Sequence, residues 1–203
     1  MNWFTHNGKV FKPFYPTLNW DRPTSEKKVF LTFDDGPTPE VTEYVLSVLK
    51  DFGFKATFFC IGENVSKNIS IYKQIKAEGH QVGNHTYTHI NGFRASNATY
   101  IKDTKRAAEL IDSTLFRPPF GRIKRSQIRR LNPNFDIIMW SILSGDFDTT
   151  LNISRAEARM KSLTKPGAII VFHDSQKAYK NLKALLPKYC AYLTDKGYTS
   201  CGL

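Results

Sequence analysis

The chain has 203 residues, of which 41% are hydrophobic and 13% aromatic, so it can bury a substantial core and is expected to form one main globular domain. Its formal net charge of +11 favours anionic partners such as nucleic acid, an acidic polysaccharide, or an anionic membrane or wall. No apolar run approaches the length of a bilayer span, and no nucleic-acid-binding module accompanies the charge, so neither a transmembrane segment nor a nucleic-acid partner is expected.

The first 27 residues are rich in aromatic side chains and proline. They predict an N-terminal extension, residues 1–27, packed on a domain that occupies residues 28–203. This segment has no continuous apolar stretch after a basic start, so it does not resemble a signal peptide. The chain as written therefore predicts a cytoplasmic protein, or a periplasmic or extracellular one if a leader has been removed. His6, in this segment, and His80 are expected to be structural or solvated, and the sequence does not indicate an oligomeric state.

The rest of the chain alternates between two kinds of segment. Short apolar runs predict buried strands at residues 29–33, 55–60, 81–84, 137–141 and 168–172. Helix-like stretches occupy residues 39–52, 70–78, 97–113, 154–162 and 178–196. Such alternation predicts an α/β protein with a parallel sheet, and closure into a barrel would bring residues from many strand ends together.

Polar residues follow the carboxyl ends of these strands, which is where parallel sheets build their sites. Asp34 and Asp35 follow the first strand. His85 and His89 follow the third and would face one ion if their segment made a helical turn, with Asp35 as third ligand. Three protein ligands with an open position are typical of a catalytic zinc-type centre, and Asp34 would remain unbound. Either motif alone is more typical of an Asp-Asp turn or of two unrelated surface histidines.

Three cysteines cannot all pair within one chain. Cys60 ends an apolar run and is expected to be a small buried side chain. Cys190 and Cys201 would form a disulfide only in an oxidising compartment. None has the spacing of a thiolate metal site or a convincing local base partner, so a catalytic thiol is not expected.

Basic residues concentrate in the middle of the chain. The densest group is Arg117, Arg122, Lys124, Arg125, Arg129 and Arg130, preceded by Lys102, Lys105 and Arg106. A solvated helix face is the simpler interpretation of this group, and a cleft lined by it is the alternative.

Five short segments combine polar residues with turn or strand residues: TFDDGP at 32–37, NHTYTH at 84–89, FRPPFG at 116–121, WSILSGDFD at 140–148 and IIVFHD at 169–174. In this order they resemble the motifs of the polysaccharide deacetylases, the NodB-homology group of carbohydrate esterase family 4. The resemblance spans residues 28–200. It implies a distorted (β/α) barrel of seven or eight parallel strands, similar to a TIM barrel, and a metal-dependent hydrolase that removes N-acetyl groups from N-acetylglucosamine units of peptidoglycan, chitin-like or related glycans.

Carried over to this sequence, the resemblance assigns Asp35, His85 and His89 to one divalent metal, with zinc first and cobalt or another divalent ion as alternatives. It assigns Asp34 as the general base. Amide hydrolysis needs an activated water, a polarised carbonyl and a proton for the departing amine. A metal beside a free carboxylate meets the first two needs.

By the same resemblance, His173 protonates the sugar nitrogen and Arg117 orients and charge-stabilises the base carboxylate, for which a bidentate contact is expected. Without the other motifs, His173 would be interpreted as a satisfied strand-end histidine. The substrate-binding residues expected at this site are Phe120, Trp140, Asp146, Phe147 and Val171.

Two positions of the fourth motif depart from the family pattern: Leu143 replaces an aspartate and Phe147 a tryptophan. Loss of the aspartate is expected to lower the pKa of His173 or to pass its task to Asp146 or Asp148.

In the fifth motif, Val171 replaces a leucine and slightly enlarges the acetyl pocket. These changes keep open a deacetylase or esterase acting on an O-acetylated glycan or another acetylated compound. A non-catalytic glycan-binding relic is a third class, although the intact base, ligand and acid positions argue against it.

Overall fold

The computed structural model describes residues 12–203, so the first eleven residues of the predicted extension, with His6, lie outside the described part. Its strands are β1 Lys28–Asp34, β2 Ala56–Cys60, β3 Gln81–Asn84, β4 Leu115–Phe116, β5 Asp136–Ile137, β6 Ile142–Leu143, β7 Ile169–His173 and β8 Thr199–Ser200. Its α-helices are α1 Val41–Asp51, α2 Gly62–Lys67, α3 Ile69–Ala77, α4 Asn97–Ala108, α5 Arg125–Leu131, α6 Ile153–Leu163 and α7 Tyr179–Asp195. Two 3-10 turns occupy Lys12–Phe14 and Pro119–Gly121.

Seven strands form one curled parallel sheet in the order β5-β4-β3-β2-β1-β7-β6, and β8 pairs with the start of β1. Every pairing between these strands is parallel. Helices follow most strands and pack on the outside of the curl. The predicted distorted (β/α) barrel is therefore confirmed, in the form of a half-barrel whose edge strands β5 and β6 do not pair with each other.

The segment before β1 lies between the two edges of the curled sheet. The Asn19 N–H donates to the Ile137 carbonyl, and the Met139 N–H donates to the Asn19 carbonyl. Further along, the Arg22 N–H donates to the carbonyl of Gly167, just before β7. Residues 19–22 thus connect the β5 edge to the start of β7.

Successive side chains of the central strands point alternately to the inner and the outer face of the curled sheet. Phe30 of β1 and Val171 of β7 pack into the inner apolar cluster. Because side chains alternate along a strand, Asp34 and His173 continue these inward rows. The register places Asp34 opposite His173. The outward rows pack against the helices and contain Leu31, Phe33, Ile170 and Phe172.

The predicted strand at 137–141 is wrong, because only its first residue, Ile137, lies in β5, and the residues after it lead to β6 at the opposite edge of the sheet. Between them the chain crosses from one edge to the other, and the Ser141 N–H donates to the Ile169 carbonyl. The predictions also lack β4, β6, β8, α2 and α5. Strand β4 has only two residues before Pro118 and Pro119, whose missing N–H groups end the ladder.

Cys60 is fully buried, as predicted, and all three cysteines are free. Cys190 lies in the helix-side cluster, whereas Cys201 packs against the inner one. Within residues 12–203, no helix combines the length and the apolar character that a membrane span requires.

Candidate active site

The three predicted metal ligands meet at the carboxyl end of the sheet. Asp35 follows β1, and its Oδ1 lies 3.2 Å from His89 Nε2 and 3.7 Å from His85 Nε2. One ligand atom from each residue can be chosen so that all three lie within 4.8 Å of one another. An oxygen and two imidazole nitrogens form a donor set that zinc accepts, so these residues fit a divalent ion.

The loop between His85 and His89 is not the helical turn that their four-residue spacing predicts. Thr86 and His89 have φ angles of 64° and 56°, in the left-handed region. Two backbone N–H groups of this loop donate to Asp103 Oδ1 on α4, at 2.8 and 3.0 Å. A loop fixed by α4, rather than a helix, therefore brings the two imidazoles together.

His85 is held in the form that a metal ligand needs. Its Nδ1 lies 2.8 Å from the Arg117 carbonyl, which can only accept, so Nδ1 carries the proton and Nε2 faces Asp35 with its lone pair. Burial lowers the pKa of His85 to about 4, although the Asp34 carboxylate opposes that shift. His85 is therefore neutral at physiological pH.

A buried carboxylate that the sequence analysis missed fixes the loop after β1. Asp174 accepts from the Gly36 N–H at 2.9 Å and from the Thr42 hydroxyl at 2.6 Å. Any side chain at position 36 would overlap this carboxylate. Asn64 holds the Asp35 carbonyl at 2.7 Å from its other side. Burial raises the pKa of Asp174 to about 7. Its only signal in the sequence is its place after His173 in IIVFHD.

Asp34 lies beside this cluster and is only 4% exposed. Its Oδ1 accepts from Arg117 Nη1 at 2.7 Å, and that single hydrogen bond shows the predicted bidentate contact to be wrong. The other donors of the guanidinium are used elsewhere. Nη1 also donates to the Thr32 hydroxyl, while Nε and Nη2 donate to the carbonyls of Ile138 and Met139. Asp34 is thus positioned by a guanidinium that the barrel interior holds rigid.

Asp34 and Arg117 form a buried ion pair. Arg117 is completely buried, and its guanidinium lies 4.0 Å from the centre of the Phe59 ring. Burial lowers the pKa of Arg117, and the Asp34 carboxylate opposes that shift. Arg117 therefore does not belong to the surface basic group in which the sequence places it.

His173 ends β7 on the other side of β1 from the metal ligands. Its Nδ1 lies 2.7 Å from Asp146 Oδ1, and its backbone N–H donates to Asp146 Oδ2 at 2.8 Å. Burial is the largest single influence and disfavours the imidazolium, but the carboxylates of Asp146, Asp35 and Asp34, with Asp146 first, together outweigh it and raise the pKa of His173 to about 9. Of the two outcomes expected from Leu143, the second is observed, because Asp146 takes the position beside His173.

The other acidic residues of this motif take different positions. Asp148 is exposed and binds Thr150 rather than His173. Asp146 is fully buried behind His173, which differs from its predicted place among the substrate contacts.

A cleft of about 480 Å³ opens over these groups. Its apolar lining comprises Phe120, Trp140, Leu143, Phe147 and Val171, so four of the five predicted substrate contacts reach it. Phe120 has a φ of 59°, and its half-exposed ring lies 4.5 Å from that of His89. The Phe147 and His173 rings lie edge to face, with their centres 5.0 Å apart. The cleft therefore presents apolar walls on both sides of its polar centre.

Three basic side chains also line the cleft: Arg94, Arg122 and Lys177. Only Arg122 belongs to the predicted basic group. Four others, Lys102, Lys105, Arg106 and Arg130, line a separate groove beside α4. His80 lies outside both, where its Nδ1 accepts from the Ala56 N–H.

The polysaccharide deacetylase family model matches residues 21–133, more than half of the chain. This chain belongs to the polysaccharide deacetylase family. The resemblance seen in the five sequence motifs is thereby confirmed.

Relatives in this family match most of the chain. A peptidoglycan-N-acetylglucosamine deacetylase of Bacillus cereus is 32% identical over 196 residues, covering 92% of this chain and 92% of that protein. A chitooligosaccharide deacetylase of Rhizobium leguminosarum bv. trifolii is 30% identical, covering 74% of this chain and 73% of its own. The crystal structure of a peptidoglycan N-acetylglucosamine deacetylase superposes with a TM-score of 0.88 at 29% identity, covering 96% of this chain and 94% of that one.

For this family member we predict that Asp146→Asn changes how stability depends on pH. The pKa of folded His173, about 9, exceeds its ordinary value of 6.5. Its stabilising contribution is therefore complete below pH 6.5 and is lost as the pH rises through 9. We expect the wild-type free energy of unfolding to fall by up to about 3 kcal/mol over that window, and the variant to lose most of this fall, because Asp146 is the first of the carboxylates that raise the pKa.

Urea unfolding in chelator, at several pH values, measures this difference. Asp148→Asn removes a nearby exposed carboxylate and serves as the matched control, with a wild-type slope. Equal pH slopes for wild type and Asp146→Asn would show that Asp146 does not control the His173 proton.

Proposed function

We propose that this protein is a metal-dependent hydrolase that removes N-acetyl groups from N-acetylglucosamine units of a glycan such as peptidoglycan or a chitin-like polymer. One observation carries the proposal. The cleft joins a cluster of three possible metal ligands, the Asp34 carboxylate outside that cluster, and the His173 imidazole paired with Asp146. The similarity to peptidoglycan and chitooligosaccharide deacetylases supports the same reaction.

Asp35, His85 and His89 would hold the metal, with zinc as the favoured ion. When bound, such an ion polarises a carbonyl oxygen and acidifies water. Desolvation alone would raise the pKa of Asp35, but the neighbouring imidazoles, His89 first, lower it well below its ordinary range. Burial keeps His85 neutral, so both of these ligands are in their binding form at neutral pH.

Asp34 is the proposed general base. Arg117 binds its Oδ1, and no residue between 12 and 203 hydrogen-bonds its Oδ2. That oxygen can take the proton of the attacking water, while the guanidinium holds the carboxylate in one orientation.

His173 is the proposed general acid. Its Nδ1 is engaged by Asp146, which leaves Nε2 as the proton donor to the departing amine. Since its pKa is about 9, the imidazolium form dominates at neutral pH. An amide nitrogen leaves only when it is protonated, and this proton completes the reaction.

The apolar lining gives the substrate its orientation. Phe120, Trp140 and Phe147 would pack against sugar faces, and Val171 would contact the acetyl methyl group. Leu143 adds apolar surface where many family members have an aspartate, so it favours the acetyl group over charged substituents at this point.

The ligand assignment is tested with His89→Ala. Removing one of three ligands is expected to weaken zinc binding by more than about 100-fold, a loss that exceeds the usual effect of outer hydrogen-bond partners. Competition with a chromogenic chelator measures the affinity, and acetate release from an N-acetylglucosamine oligomer measures turnover at saturating zinc.

His80→Ala is the matched control, because it removes a buried histidine that lies outside the cleft. It is expected to keep wild-type zinc affinity. Unchanged zinc affinity in His89→Ala would refute the metal site.

A further inference from the structure

The cleft carries an excess of positive charge that the proposed reaction does not use. Arg94, Arg122 and Lys177 line it together with the reacting groups. Within residues 12–203, none of the three forms a salt bridge with a carboxylate. The two carboxylates that line the cleft are already committed, Asp34 to Arg117 and Asp35 to the ligand cluster.

Two of these cations lie on one side of the cleft. Arg94 comes from the loop after β3, and Arg122 follows the 3-10 turn after β4. The two loops are tied together, because Gln127 Nε2 donates to the Gly92 carbonyl at 2.9 Å and Lys124 Nζ donates to the Ala95 carbonyl at 2.7 Å. Their backbones are therefore held in place before any ligand arrives.

The third cation lies on the other side. Lys177 follows β7, which is separated from β3 in the sheet by β1 and β2. Its Nζ lies 6.0 Å from the centre of the Phe147 ring, next to His173. A glycan lying across the reacting groups would thus meet positive charge on both sides of the acetylated sugar.

We propose that Arg94, Arg122 and Lys177 select glycans in which the sugars flanking the acetylated residue carry carboxylates. This inference rests on the proposed function. Guanidinium groups match the planar geometry of a carboxylate, and an ammonium adds a point charge. The net charge of +11 adds attraction at longer range, which screening by salt weakens.

The experiment compares two oligosaccharides of equal length that share the same N-acetylated sugar. One is a neutral N-acetylglucosamine oligomer, and the other alternates that sugar with a carboxylate-bearing sugar. For Arg94→Gln, Arg122→Gln and Lys177→Gln we expect kcat/KM on the carboxylated substrate to fall about two- to fivefold each. Because such effects add at separated sites, the triple variant should lose about tenfold to a hundredfold. Turnover of the neutral oligomer should stay within about twofold of wild type, because charges at the edge of a binding site act on the recognition of charged substrates.

Arg155→Gln and Lys188→Gln are the matched controls, because each removes one positive charge from an exposed helix position that does not line the cleft. Neither variant should change kcat/KM on either substrate. An equal loss on both substrates, or no loss on the carboxylated one, overturns the proposal. If wild type turns over neither substrate, the deacetylase assignment fails by itself. Calorimetry then measures how tightly each oligosaccharide binds. Tighter binding of the carboxylated oligosaccharide that is lost in the triple variant supports selection by the three cations. Equal binding of the two oligosaccharides overturns it.

Discussion

Arg117→Leu is expected to lower the free energy of unfolding by about 3–5 kcal/mol and to abolish turnover, because it leaves a buried carboxylate without its counter-charge. Asp34 is only 4% exposed, so water cannot replace the lost guanidinium. The Thr32 hydroxyl and two backbone carbonyls would lose their donors as well. Urea denaturation at pH 7 measures the change.

Two further variants separate charge from packing. Arg129→Leu, at an exposed position of α5, controls for the loss of one arginine and should stay within about 0.5 kcal/mol of wild type. The double variant Asp34→Leu with Arg117→Leu removes both charges and should recover much of the lost stability while remaining inactive. A single Arg117→Leu variant as stable as wild type would contradict a buried ion pair that positions the base.

His173→Ala is expected to lower kcat on an N-acetylated glycan by about 10²- to 10⁴-fold, which is the usual contribution of a general acid. The loss should be much smaller on an aryl acetate, because an aryl oxide leaves without being protonated. Zinc affinity should not change, since His173 is not one of the three ligands. Steady-state kinetics on the two substrates, with zinc titration, provide all three values.

Asp146→Asn provides the matched comparison for His173→Ala. It keeps the imidazole but removes the carboxylate that raises its pKa, so the alkaline fall in kcat/KM should move to lower pH. An equal loss on the amide and the aryl ester in His173→Ala would contradict proton donation to the leaving group.

Much of the fold was predictable because the central strands are long and apolar. The predicted strand at 81–84 coincides with β3, that at 29–33 differs from β1 by one residue at each end, and that at 55–60 differs from β2 by one residue at its start. The short strands were not predictable. β4, β5, β6 and β8 have two residues each, too few to show a periodic pattern. Helix α5 has the sequence RSQIRRL, in which three buried positions lie among arginines, so the sequence shows no clear apolar pattern there.

The candidate site was predictable to the extent that it follows strand ends. Motif order indicated Asp34, Asp35, His85, His89, Arg117 and His173, and the structure brings them to one cleft or its floor. The partner of His173 could not be chosen from sequence, because Asp146 and Asp148 are two residues apart and only the backbone direction after β6 buries one of them. Asp174 and the cleft cations Arg94 and Lys177 were missed because their positions depend on how distant loops meet.

The most direct test measures acetate release from an N-acetylglucosamine oligomer by the zinc-loaded wild type beside Asp34→Asn. Zinc content and urea unfolding are measured on both proteins, because the substitution leaves the Arg117 charge uncompensated. We predict release by wild type and a loss of at least about 100-fold in a folded, zinc-bound variant. Equal release by the two proteins would contradict Asp34 as the base. No release from folded, zinc-bound wild type would contradict N-deacetylation, and O-acetylated glycans would then be assayed in the same way.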